Sequence, residues 1–140
     1  MADNGVTDLP AVHLDRIGQI AISVSDLALS KEFYQETLGM RFLFEAGPMA
    51  FFQCGDIRFM IGTGNENTVA PGGTILYFKV DDIQAVQDTL VDKNVFFFSD
   101  PHFVARMPDH DLWMAFFKDP DGYTIGLMCE QKRAEEAKGN

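Results

Sequence analysis

Ile20-Ala21-Ile22-Ser23-Val24 runs into Ser25-Asp26 and then a helical stretch from Leu27 to Leu38. Leu76-Tyr77-Phe78-Lys79-Val80 runs into Asp81-Asp82 and then another from Ile83 to Asp92, and Val80 lies 56 positions after Val24. Farther on, Met49-Ala50-Phe51-Phe52 returns letter for letter as Met114-Ala115-Phe116-Phe117, 65 positions later. A single four-letter match carries little weight. Two matches in the same order, each joined to a compatible pattern, mark a duplicated unit.

Each unit reads as a strand, a helix and three strands. In the first strand Ile20, Ile22 and Val24 alternate with Gln19, Ala21 and Ser23, which gives the strand two distinct faces. Asp26 suits an N-cap, because its carboxylate can accept from the unpaired N–H groups of the first turn. Phe33 or Tyr34 and Leu38 then meet the sheet, and Gly39 ends the helix in the left-handed conformation. The second unit uses Asp82 as cap, Ile83, Val86 and Leu90 as buried stripe, and Asn94 as the left-handed residue. Extended runs follow each helix: Arg41–Ala46, Met49–Cys54 and Ile57–Gly62, then Val95–Ser99, Trp113–Lys118 and Tyr123–Cys129. Asp119-Pro120-Asp121-Gly122 reads as a tight turn joining the last two. The expected fold class is α+β, with βαβββ modules at 17–62 and 74–130 joined by a connection at 63–73. Tails at 1–16 and 131–140 are expected to be loosely ordered.

The copies differ at one place. The second carries nine extra residues within 100–112, and these hold His102, Arg106 and His110, two of the chain's three histidines. A surface loop set over a cleft often carries function. His102 and His110 are the candidate catalytic residues and Arg106 a candidate ligand contact, against the plain alternative of a surface loop whose histidines are solvated or merely pin it down.

Composition bounds the partners. The 140 residues are 46% hydrophobic and 23% charged, the proportions of one folded domain rather than a disordered chain. A net charge of −10 disfavours phosphate backbones and anionic lipid, so no nucleic acid or membrane partner is expected. No apolar run approaches the roughly 20 residues that span a bilayer. The first ten residues lack the apolar stretch of a secretory leader. Cys54 and Cys129 are too few for a disulfide framework, and the expectation is a reduced, cytoplasmic protein. Gly62-Thr63-Gly64 lacks nucleotide-loop spacing, Asp119–Gly122 lacks that of a calcium loop, and no serine nucleophile elbow is present.

The strand ending in Val24-Ser25-Asp26, followed by Phe33-Tyr34 and Leu38-Gly39-Met40, with Asp119-Pro120-Asp121-Gly122-Tyr123 near the end, resembles the vicinal oxygen chelate superfamily. That superfamily holds glyoxalase I, extradiol dioxygenases, methylmalonyl-CoA epimerase, fosfomycin-modifying enzymes and bleomycin-binding resistance proteins. The resemblance spans residues 17 to 130. It implies two modules whose curved mixed sheets surround a cleft, one face of each sheet packing helices and the other lining the cleft. It also implies a homodimer, since the family commonly pairs modules between chains and open sheet edges need covering. In metal-dependent members four strand positions hold a divalent ion, and they fall here on Gln19, Met60, Ile75 and Gly126. A glutamine can serve at the first. The Met60 thioether is a soft donor, Ile75 has no lone pair and Gly126 no side chain. A catalytic metal wants about three protein ligands, so no metal and no other cofactor is expected.

By strand parity, Gln19, Ala21 and Ser23 correspond to Ile75, Tyr77 and Lys79, and Arg58 and Met60 to Thr124, Gly126 and Met128. The candidate ligand-binding residues are Gln19, Arg58, Met60, Tyr77, Lys79, Arg106, Trp113 and Met128, a mixed lining that suits a small organic molecule with an anionic or carbonyl group. Core filling is the plain alternative for Tyr77 and the methionines, and more so for Trp113 and the phenylalanines. Two functions follow: a metal-free small-molecule binding protein, or an enzyme of the glyoxalase, epimerase or dioxygenase kind. The enzyme would use a relocated metal, or His102 and His110 for proton transfer.

Overall fold

Alternation along the strands separates two faces in each half of the chain, and the fold follows from how those faces are used. The computed structural model describes residues 12–13, 15–63 and 74–133. Nearly all of the connection expected at 63–73 and the outer parts of both tails lie outside the described residues. The first half comprises β1 (Gln19–Ser23), α1 (Leu27–Glu32), β2 (Arg41–Ala46), β3 (Met49–Cys54) and β4 (Ile57–Gly62). The second comprises β5 (Leu76–Lys79), α2 (Ile83–Asp92), β6 (Phe97–Arg106), β7 (His110–Lys118) and β8 (Thr124–Lys132). Each half forms one four-stranded mixed sheet, in the orders β1-β4-β3-β2 and β5-β8-β7-β6. β1 and β5 run parallel to their neighbours, and the other pairs are antiparallel.

The caps form as their chemistry requires. Asp26 accepts from the Leu29 N–H and Asp82 from the Ala85 N–H, each at 3.0 Å. Gly39 and Asn94 take φ of 72° and 68° at the helix ends. The first helix differs from a plain run to Leu38. Residues Phe33–Thr37 widen into a π turn, closed by the Leu38 N–H donating to the Phe33 carbonyl. This turn presents Tyr34, which is wholly buried.

The insertion is not a loop. It lengthens a hairpin: β6 and β7 extend to Arg106 and His110, and β8 continues to Lys132 opposite His110, into what reads as a tail. β6 is an edge strand with three register shifts, and Pro101, which has no N–H to give, sits within the second. Arg133 ties down the tip. Its guanidinium reaches Asp111 Oδ1 at 2.9 Å and donates to the Met107 and Pro108 carbonyls at 3.0 and 2.8 Å.

One core serves both sheets. Ala50, Phe52, Phe59 and Ile61 of the first and Ala115, Phe117, Ile125 and Leu127 of the second belong to one buried cluster that includes Tyr34 and Leu90 of the helical segments. Polar bonds stitch the seam. The Tyr34 hydroxyl donates to Asp119 Oδ2 at 2.7 Å, Ser25 Oγ to Asp121 Oδ1 at 2.6 Å, and the Tyr123 hydroxyl to the Ser23 carbonyl at 2.9 Å. Asp119 Oδ1 also accepts from the Asp121 and Tyr123 N–H groups. The Asp-Pro-Asp-Gly segment is thus a turn that also clamps the modules together. Burial first, then the charge of Asp119 and the bond to it, raise the Tyr34 hydroxyl well above its usual range. With both helix-side faces committed to this core, each sheet turns its other face away from it.

Candidate functional site

Those outward faces carry most of the residues expected to line a cleft. On the first sheet, Gln19 lies opposite Arg58 and Arg58 opposite Gln53, while Ala21, Met60 and Phe51 form the next row. The Arg58 guanidinium stands 5.9 Å from the Phe51 ring centre, and Phe44 stacks on Phe51 at 4.7 Å. A hollow of about 220 Å³ opens here, with Ala21, Ser23, Met49 and Met60 in its wall.

The second sheet repeats the plan with larger rings. Lys79, Met128, Met114 and His102 make one row, and Tyr77, Gly126 and Phe116 the next. Gly126 sits between two aromatic residues on flanking strands, so both rings can lean inward over bare backbone. Tyr77 and Phe116 meet edge-on at 5.9 Å, and Phe98 stacks on Phe116 at 6.1 Å. A β-carbon placed on Gly126 would lie 2.7 Å from Tyr77 Cδ1 and 3.0 Å from Phe116 Cε1. The missing side chain is what admits the Tyr77 ring. Lys79 Nζ lies 3.1 Å from Glu130 Oε1 at the edge of this patch.

A divalent ion does not fit the four inherited positions. Gln19 is the one hard donor, Met60 offers sulfur, Ile75 nothing, and at position 126 an aromatic ring covers the point from which a ligand would project. Among the described residues no three His, Cys, Asp or Glu side chains gather into a group that could hold a metal ion.

The structure brings Gln19, Arg58 and Met60 together on one sheet and Tyr77, Lys79, Met128 and His102 on the other. His110 shares the second face beyond this patch, its Nε2 4.0 Å from Glu130 Oε2, the carboxylate that Lys79 also meets. The register partner of His102, Met114, is four residues along β7 from His110, roughly 13 Å at about 3.3 Å per residue. The two histidines are therefore not a pair. His102 Nδ1 donates to the Asp100 carbonyl at 2.8 Å. His110 Nδ1 meets Asp109 Oδ1 at 2.7 Å, and that bond holds the Asp109 carboxyl below its usual range.

Trp113 and Arg106 stand apart from this lining. Trp113 falls on the helix side, edge-on to Phe103 at 6.2 Å and packed against the core. Arg106 pairs in register with Asp111 at the hairpin tip, on that same side. Conversely, Phe51, Phe116 and Phe98, assigned to the core from sequence, lie on the outward faces. The signal was present: adjacent residues of a strand point to opposite faces, so Phe51 and Phe52 cannot both be core, nor Phe116 and Phe117.

A family model described as Glyoxalase/Bleomycin resistance protein/Dioxygenase superfamily matches residues 16–127. Among solved structures, SMU.1112c is 26% identical over 83% of this chain and 99% of its own, with a TM-score of 0.69. TnmS3, an antibiotic binding protein from Streptomyces sp. CB03234, is 24% identical over 87% and 99%, at 0.67. A lactoylglutathione lyase from Agrobacterium tumefaciens is 18% identical over 83% and 94%, at 0.64. No curated protein matches the chain.

Proposed function

The chain belongs to the glyoxalase/bleomycin resistance protein/dioxygenase superfamily, and from that premise we propose that it binds a small organic molecule without a metal. The observation that carries this reading is the Tyr77 ring lying over Gly126, where a metal-dependent relative would project a ligand. Rings and thioethers dominate the lining: Phe51 and Met60 on one face, Tyr77, Phe116, Met114 and Met128 on the other. Arg58 and Lys79 add cationic points at their margins. Such a surface suits an apolar, partly planar body bearing an anionic or carbonyl group. TnmS3, of the same fold, is described as antibiotic binding, which is compatible with this use of the architecture.

The proposal includes a homodimer. Both lining faces point away from the shared core, and a second copy would set the first face of one chain against the second face of the other. The rival reading, an enzyme working through His102 or His110, would have each histidine act alone at their spacing. It predicts product formation with a bell-shaped pH profile, whereas binding alone predicts saturation without product.

Metal analysis by mass spectrometry, on protein prepared without a histidine tag, tests the proposal. Less than stoichiometric divalent metal is expected, and a chelator should leave the melting temperature unchanged. A full equivalent of nickel, zinc, iron or manganese would overturn it.

A further inference from the structure

A hollow of about 740 Å³ lies on the seam where the π turn of the first module meets the Asp119-Pro120 end of the second sheet. Phe33 and Thr37 line it from the first module, and Lys93, Phe96, Phe98 and Lys118 from the second. Phe96 is 80% exposed, more than any other large apolar side chain described, and Phe98 is half exposed. Exposed phenyl rings beside a concave surface need an occupant more than an isolated apolar residue does.

The charges point to its chemistry. Some cations of this strongly acidic chain meet a carboxylate, Lys31 at Glu45, Lys79 at Glu130 and Arg133 at Asp111. Among the described residues neither Lys93 nor Lys118 meets a carboxylate: Lys93 donates to the Glu36 carbonyl at 2.9 Å, and Lys118 stands 5.6 Å from the Phe98 ring centre. Asn94, Thr37 and Thr124 add polar side chains to the wall. The one acid in the wall, Asp119, is buried, and its oxygens are taken by Tyr34, Asp121 and Tyr123. The groove therefore combines an aromatic floor with two cations that no described carboxylate contacts.

We propose that this seam groove is a second binding site, for an amphiphilic monoanion: an aromatic or alkyl carboxylate or sulfonate whose apolar body lies on Phe33, Phe96 and Phe98 and whose head group is held by Lys93 and Lys118. The groove shares Phe98 with the outward face of the second sheet, where that ring stacks on Phe116, but its other walls and both its lysines lie outside the lining assigned to the cleft. Because its walls come from both modules, occupancy stabilises their docking, by an amount that grows with free ligand over Kd.

The test uses 8-anilinonaphthalene-1-sulfonate as the probe, titrated into the full chain by fluorescence and calorimetry. Saturable binding that weakens with added salt is expected. Lys93→Met and Lys118→Met should each weaken it about five- to tenfold, with Lys→Arg at either position retaining most of the affinity. Both lysines are exposed, so the variants should keep the wild-type circular dichroism and melting temperature. Arg16→Met, an exposed cation ahead of β1 with no part in either lining, should bind as the parent does. The proposal falls if the double lysine variant binds like wild type, if uncharged N-phenyl-1-naphthylamine binds as tightly, or if Arg16→Met matches the loss. Absence of saturable binding would overturn it equally.

Discussion

Asp119 shows how one side chain can be obvious in type and hidden in role. Four letters, Asp-Pro-Asp-Gly, announce a turn, and Gly122 at φ 94° completes it. Nothing local announces that Asp119 is also the buried acceptor for Tyr34, 85 residues earlier in the chain. Burial is the largest influence on its carboxyl and raises its pKa above the ordinary 3.8, outweighing the lowering by bonds from Tyr34, Tyr123 and Asp121. The folded protein therefore holds this proton more tightly than the unfolded chain does. The resulting stability is present below pH 3.8 and is lost as pH rises through the folded-state value. Asp119→Asn cannot titrate, so urea unfolding from acid towards neutral pH should show wild type losing ground to the variant across that window. Wild type gaining on the variant there would contradict the assignment.

At the scale of elements, what was legible was whatever short-range chemistry decides. The two aspartate caps, the left-handed Gly39 and Asn94, and the strand alternation all follow from steric and hydrogen-bonding preferences within a few residues. The hairpin was not legible. Pro101 and the polar letters around His102 and His110 read as a loop, because an edge strand tolerates bulges and proline that a central strand would refuse. Its extension also depends on β8 continuing alongside, a long-range condition no local window contains. The candidate site divides in the same way. Parity placed Gln19, Arg58, Met60, Tyr77 and Lys79 on outward faces, but bulge-shifted registers carried Arg106 to the other side. Arg133 holds the hairpin tip at three points. Arg133→Ala should speed amide hydrogen exchange at Met107 to His110 by about tenfold or more, since these bonds sit at the low-stability end of the sheet. Global unfolding should shift by no more than about 1 kcal/mol. Unchanged exchange at the tip would show that the clamp is idle.

For the whole molecule the question is where a complete cleft comes from. One core consumes the helix side of both sheets and leaves their other faces looking outward, so under the proposed function each face supplies one half of a site. No described helix is long and apolar enough to cross a membrane. If two copies assemble each cleft, a variant damaged on the first face (Arg58→Met with Met60→Ala) and one damaged on the second (Tyr77→Ala) should each lose ligand binding as homodimers. Refolded together, the mixed dimers would contain one intact cleft each and recover up to half of the wild-type capacity, readable by calorimetry. No recovery, in mixtures shown by sedimentation to be heterodimeric, would argue for a site within one chain. The bare backbone at Gly126 has a further corollary. Any side chain placed there must push Tyr77 from its seat against Phe116. A substitution at this one position therefore exchanges one surface for another and never simply adds a group to what is already there.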